Sequence, residues 1–162
     1  MANICDVYVE FYNVKDEQKH LITEENFKNE EIKTNNDSWV DIEFVNEGLN
    51  TLSMSSAWSA PTSWFEGFCA EHGLEGRMYF YEPGCCYHGY ADVTDGHIQT
   101  TYYDNNFEYL YLHNNEGFWD EVNYFLEEDM LEEEEWNERV LKYVSFEDKK
   151  KLIEMIEKQK KG

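Results

Sequence analysis

An antiparallel α+β sheet with its helices on one face is predicted by three features of the chain. Residues 3–13, 39–45 and 49–56 set apolar side chains at every second position, the period of a strand with one buried face. Trp64, Phe65, Phe68 and Cys69 then recur at helical spacing. Finally, Glu82-Pro83-Gly84 and Thr94-Asp95-Gly96 punctuate three further segments, the aromatic run 77–81 and a hairpin over 87–93 and 97–103. The order strand, weak helix, strand, strand, helix, strand is the split β-α-β, or ferredoxin-like, arrangement. It is extended here by an added β-hairpin and C-terminal helices.

Each element has its own signal. In the first strand Val7, Val9 and Phe11 alternate with polar partners. Residues 15–33 are charged, and a short helix beginning near Thr23 has only a thin apolar stripe. Residues 34–38 form a loop by composition. Val40, Ile42 and Phe44 point inward on the second strand, and Asn46-Glu47-Gly48 turns it, with Gly48 in a left-handed position. Leu52 and Met54 point inward on the third. Ser59 is read as N-cap of the following helix, with Pro61 in its first turn and Gly73 closing it. Glu82-Pro83-Gly84 fits a type II turn. Residues 109–112, Tyr-Leu-Tyr-Leu, suggest a short strand.

Beyond that the pattern is helical. Phe118, Val122, Phe125, Leu126 and Met130 fall on one stripe. Glu132 to Glu135 lead into Trp136, Val140 and Val144, as a second helix or a bent continuation. Ser145 caps a last helix whose buried stripe is Leu152, Ile153 and Ile156, with acids in its first turn and lysines in its last. The organisation expected is a ferredoxin-like domain over 1–103 and an acidic, mostly helical extension over 104–162 packed on it.

Composition narrows the function classes. At 41% hydrophobic and 17% aromatic residues the chain has the material for a packed core. No apolar run reaches the length of a transmembrane helix and the N-terminus lacks the pattern of a signal peptide, so a cytoplasmic protein is expected. The net charge is −22, unevenly spread: residues 1–33 hold 8 acids and 4 bases, residues 34–138 hold 23 acids and one base, Arg77, and residues 139–162 hold 4 acids and 8 bases. Such a field repels nucleic acids and anionic membranes and attracts basic protein surfaces.

The stretch Ser55-Ser56-Ala57-Trp58-Ser59-Ala60-Pro61, the helix at Trp64-Phe65 and Tyr79-Phe80-Tyr81-Glu82-Pro83-Gly84 together resemble the YubB-type ferredoxin-like domain. Tyr87 and Gly89 extend the match, and Asn3 and Cys5 suit the start of that family's first strand. Ser56 stands where threonine is usual, and Ala60 replaces the first proline. The resemblance covers residues 1–100 and is tight over 52–90. It implies the fold and a setting on phages, plasmids and other mobile elements, and it implies no catalytic residues.

Two chemistries compete for the site. Cys69-x-x-His72 and Cys85-x-x-His88 have the spacing of ligand pairs, so Cys69, His72, Cys85 and His88 could form a zinc site or serve a Cys/His-dependent enzyme, with Cys86 and His97 as further candidates. Against this, Cys69 falls on the buried helical stripe. Aromatic strands with exposed tyrosines also suit base stacking, but the bases that should accompany them are missing. The leading reading is therefore a non-catalytic, cofactor-free acidic protein that binds a basic host protein or nucleoprotein complex. It would act as an anti-defence inhibitor (anti-CRISPR or anti-restriction) occupying a basic nucleic-acid-binding surface. Its candidate contacts are Asp120, Glu121, Glu127, Glu128, Asp129, Glu132, Glu133, Glu134, Glu135 and Glu138, ten carboxylates in 19 positions, with Tyr102 and Tyr103.

Overall fold

The computed structural model describes residues 3–85 and 87–161, without the side chain of Cys85. Two compact units divide the chain, Met1–Tyr102 and Tyr103–Gly162. In the first, β1 (Ile4–Tyr12), α1 (Glu24–Asn29), β2 (Val40–Asn46), β3 (Thr51–Ala57), α2 (Thr62–His72), β4 (Glu75–Glu82), β5 (Tyr87–Thr94) and β6 (His97–Tyr102) follow one another. The sheet order is β2-β3-β1-β4-β5-β6, with every neighbouring pair antiparallel. The first four strands in that order are the ferredoxin-like sheet, and the last two are the added hairpin.

One face of this sheet carries the core. Cys5, Val7, Val9 and Phe11 of β1 are buried against Leu52 and Met54 of β3 and Met78 and Phe80 of β4. Both helices cover that face. Phe11 meets Phe65 and Phe68 of α2, each at 5.9 Å between ring centroids, and Phe27 of α1 at 6.4 Å. Phe27 in turn meets Phe68 at 5.6 Å and Trp64 at 6.2 Å.

Local chemistry explains most boundaries. Thr23 caps α1 by accepting the Asn26 N–H at 3.1 Å. Gly73 closes α2 at φ 66°, and Asp95 and Gly96 turn the β5–β6 hairpin at φ 52° and 75°, the two left-handed residues of a type I′ turn.

Five expectations for this unit are corrected. A bulge at Glu43 shifts β2, so that Ile42 faces Met54 but Phe44 faces Ser53; Phe44 is thrown outward, and Val45 takes its place on the core side. The left-handed residue after β2 is Asn50, at φ 56°, and not Gly48. Ser59 does not cap α2, because its carbonyl accepts the Ser56 hydroxyl at 2.7 Å in a tight turn where Trp58 takes φ 68°. Pro61 stands at the N-cap position instead, and the cap comes from afar: the Asn35 side chain accepts the Ser63 N–H at 3.0 Å. Residues Pro83–Cys85 form a 3-10 turn in place of a type II turn, since Gly84 does not take positive φ.

The second unit contains α3 (Asn106–His113), α4 (Asn115–Glu127), α5 (Glu133–Arg139) and α6 (Phe146–Lys161). The expected strand over 109–112 is part of α3. Asn105 accepts the Glu108 N–H at 3.1 Å, and the buried residues are Phe107 and Leu110, three apart. The Tyr-Leu-Tyr-Leu alternation thus lay inside a longer helical period. Asn114 starts α4 in the same way, accepting the Gly117 N–H at 3.0 Å. Phe118, Val122 and Leu126 are buried as expected, but α4 ends at Glu127, and Met130 is exposed beyond Asp129, which turns at φ 50°. The Glu132–Glu135 run therefore begins a separate helix, α5. In α6 Leu152 and Ile156 are buried while Ile153 faces outward. Among the described residues no helix is long and apolar enough to cross a membrane.

Gly89 tests the β5–β6 packing. A Cβ there would sit 2.9 Å from Tyr102 Cα and 3.1 Å from Phe80 Cζ, and closer still to the Thr101 carbonyl oxygen. The Gly89→Ala variant is expected to lose roughly 2–4 kcal/mol in urea unfolding. A loss within 0.5 kcal/mol, about the scatter of a surface substitution, would show that the two strands are not held this closely.

Candidate partner-binding surface

The ten carboxylates named from sequence span α4, the following turn and α5. Asp120, Glu127, Glu128, Asp129, Glu132, Glu133, Glu134 and Glu138 are exposed, while Glu121 and Glu135 are half-buried. Several of them have structural work at the start of α5. Glu132 and Glu135 form a reciprocal capping box, in which Glu135 accepts the Glu132 N–H at 3.2 Å. Glu133, Glu134 and Glu135 fill the first turn, where the helix dipole favours anions. Basic residues also return to the run. Lys160 of α6 pairs with Glu133 at 3.0 Å, and Arg139 approaches Glu135 at 3.8 Å. Exposed pairs of this kind contribute little stability, but they trim the local charge.

Counted by unit, the field is redistributed. Residues 103–162 hold 17 acids and 8 bases, whereas residues 1–102 hold 18 acids and only 5 bases. Of those five, Arg77 is already spent. It donates to both Asp92 oxygens, at 2.6 and 3.0 Å, and lies 4.1 Å from the Tyr90 ring centroid. The Asp92 carboxylate raises its pKa further above the usual guanidinium range. The one base between Thr34 and Glu138 is thus neutralised within the fold.

The face of the first sheet opposite α1 and α2 carries tyrosines in a row. Tyr8, Tyr79 and Tyr90 are cross-strand neighbours on β1, β4 and β5, with ring centroids 6.2 Å apart at each step. The alternation of β1 puts Tyr8 on this face, opposite its buried Val7 and Val9. Acids flank the row. Partial burial, and after it the Glu43 carboxylate, raises the Asp6 carboxyl above its ordinary value. Tyr102 and Tyr103, adjacent in sequence, divide between the two units. Tyr102 is 62% exposed, with its ring 5.8 Å from Phe80 and 6.0 Å from Tyr87. Tyr103 is half-buried, its hydroxyl 2.5 Å from His113 Nε2 and its ring against Tyr109.

Of the Cys/His set, the described members Cys69, His72 and His88 do not come together as a ligand cluster. Cys69 lies on α2 and is buried on the side facing the sheet's core. On β5 the core-side residues are Gly89, Ala91 and Val93, so His88 lies on the opposite face beside the Tyr81 ring. His72 packs edge-on against Phe68 at 4.8 Å. The Cys85 side chain and Cys86 lie outside the described residues. Among the described residues no three His, Cys, Asp or Glu side chains cluster as metal ligands. Glu82 is buried and accepts the Gly84 N–H at 2.9 Å, holding the 3-10 turn.

Fold and surface together define an acidic ferredoxin-like α+β protein. Comparison with protein families places it further. The chain belongs to the family described as "Ferredoxin-like domain in Api92-like protein", whose model matches residues 29–143. Neither the comparison with curated proteins nor that with solved structures found a match.

Burial makes the thiols inert and sets an alkaline limit. Desolvation pushes Cys5 and Cys69 up to about 12 from 9.0. The native state then keeps protons that the unfolded chain releases above pH 9. Stability contributed by the two thiols is full below about pH 9 and falls towards pH 12, by about 1.4 kcal/mol per pH unit for each thiol. Urea unfolding between pH 8 and 11 should show this fall, and Cys5→Ala with Cys69→Ala should flatten it. An unchanged slope in the double variant would contradict the assignment.

Proposed function

We propose that this protein is a non-catalytic binding module that engages a basic surface on a host protein or nucleoprotein complex. The observation that carries the reading is the excess of acids over residues 34–138, 23 against one base that is held by Asp92, of which Lys160 and Arg139 offset only a small part. A surface of that sign gains from contact with Lys- and Arg-rich grooves and is repelled by nucleic acid itself. The YubB-type resemblance over residues 52–90, with its phage and mobile-element setting, supports a narrower form. In that form the protein is an anti-defence inhibitor, of anti-CRISPR or anti-restriction type, that occupies a groove meant for DNA or RNA. Exposed tyrosines fit the same role, because they supply contact area at low entropic cost in protein interfaces.

Affinity purification of the full chain from expressing cells, followed by a salt titration of the captured complex, tests this reading. Binding should weaken at least tenfold between about 50 and 500 mM NaCl, as the Debye length shrinks from roughly 14 to 4 Å. Added DNA or RNA should compete with the chain for its partner. Lysine at Glu127, Glu128, Glu134 and Glu138 together should cost roughly tenfold or more in affinity at low salt, with little effect on stability, because these groups are exposed. Salt-independent capture would remove the electrostatic basis of the proposal.

A further inference from the structure

The free edge of β2 borders a groove of about 460 Å³, lined by residues of the first unit. We propose that this groove takes an extended segment of the partner as an added strand, and that the segment alternates apolar residues with lysine or arginine. The inference rests on the reading that the chain binds a basic protein, and it names the surface and the mode.

Three observations carry it. First, β2 ends the sheet and pairs only with β3, so one side of its backbone presents N–H and C=O groups to an incoming strand. Second, the groove has an apolar floor. Val40, Ile42 and Val45 line it from the strand, and Phe27 and Ile32 from α1 and the segment after it. Phe44, displaced by the bulge and 62% exposed, stands at its rim. Third, its charge is specific in sign. Glu24, Glu30, Glu31, Asp41 and Glu43 line it against Lys28 and Lys33, and Lys28 is paired with Glu24 at 2.9 Å.

The alternation follows from strand geometry. Along β2 the core-side residues are apolar, whereas Asp41 and Glu43 are exposed on the other side. A strand laid beside it places every second side chain next to the apolar row and the others next to the carboxylates. The same carboxylates oppose pairing with the β2 edge of a second copy, where they would meet their own kind. A basic segment is therefore the occupant that the edge favours.

The probe is an N-acetylated, fluorescein-labelled decapeptide in which valine alternates with lysine and threonine, read by anisotropy at low salt against the full chain. It should bind, and a counterpart with glutamate for lysine should not. Asp41→Lys with Glu43→Lys should weaken binding at least tenfold, while Glu154→Lys with Glu157→Lys, exposed on α6 and outside both proposed surfaces, should change it less than twofold. On binding, amide exchange within residues 40–46 should slow at least tenfold. Absence of binding, equal binding of the glutamate peptide, protection confined to residues outside β2, or dimerisation of the free chain through this edge would each overturn the groove assignment. If the groove variants leave capture of a salt-sensitive cellular partner intact, the groove falls and the functional reading stands. Salt-independent capture defeats that reading, whatever the peptide does.

Discussion

Phe11 and the three α2 and α1 rings around it, Phe27, Phe65 and Phe68, hold the first unit in its arrangement. The strand bearing Phe11 is central to the sheet, so its buried face decides which face of β3 and β4 must also be apolar. Each such ring contributes about 1.5–3 kcal/mol by leaving water, and a one-residue slip of β1 would expose all of its core residues at once. The composition of the side away from α1 and α2 follows from this constraint. Once Val7, Val9 and Phe11 face the helices, Asp6, Tyr8 and Glu10 must face away from them. The tyrosine row and its acidic flank are thus the reverse of the core.

The ends of α2 show how that core is closed. Its first turn is capped by Asn35 and its last by Gln18, whose amide donates to the His72 and Gly73 carbonyls at 3.1 and 3.3 Å. Both side chains belong to the polar stretch whose sequence carries little periodic signal. Folded, that stretch satisfies helix-end groups that would otherwise need water or local caps. Glu66 of α2 similarly accepts the Ile98 N–H of the added hairpin at 3.0 Å. Both ends of α2, the one helix between β3 and β4, are thus closed by side chains distant in sequence, and its middle is tied to the hairpin.

The candidate surface was partly legible in the chain. Charge sign, the near absence of bases over 34–138 and the abundance of tyrosine are properties of composition. Which acids are free is not. Glu132, Glu133 and Glu135 look alike in a run of four, yet two form a capping box and the third meets Lys160 from 27 residues away. The Cys-x-x-His spacing was equally ambiguous. Spacing places Cys69 and His72 one helical turn apart, but only the β4–β5 register puts His88 across the sheet from Cys69.

By itself the sequence determined the strand and helix order of the first unit, the αL closure at Gly73, the Asp95-Gly96 turn and the ferredoxin-like class, because each follows from side-chain period or from a residue's own backbone preference. Tertiary structure alone decided the outward turn of Phe44 at the β2 bulge, the helical state of residues 109–112, the non-local caps on α2 and the neutralisation of Arg77 by Asp92. These depend on a partner distant in the chain or on competition between two local periods. Neither can be read until packing has chosen which face of each element is buried.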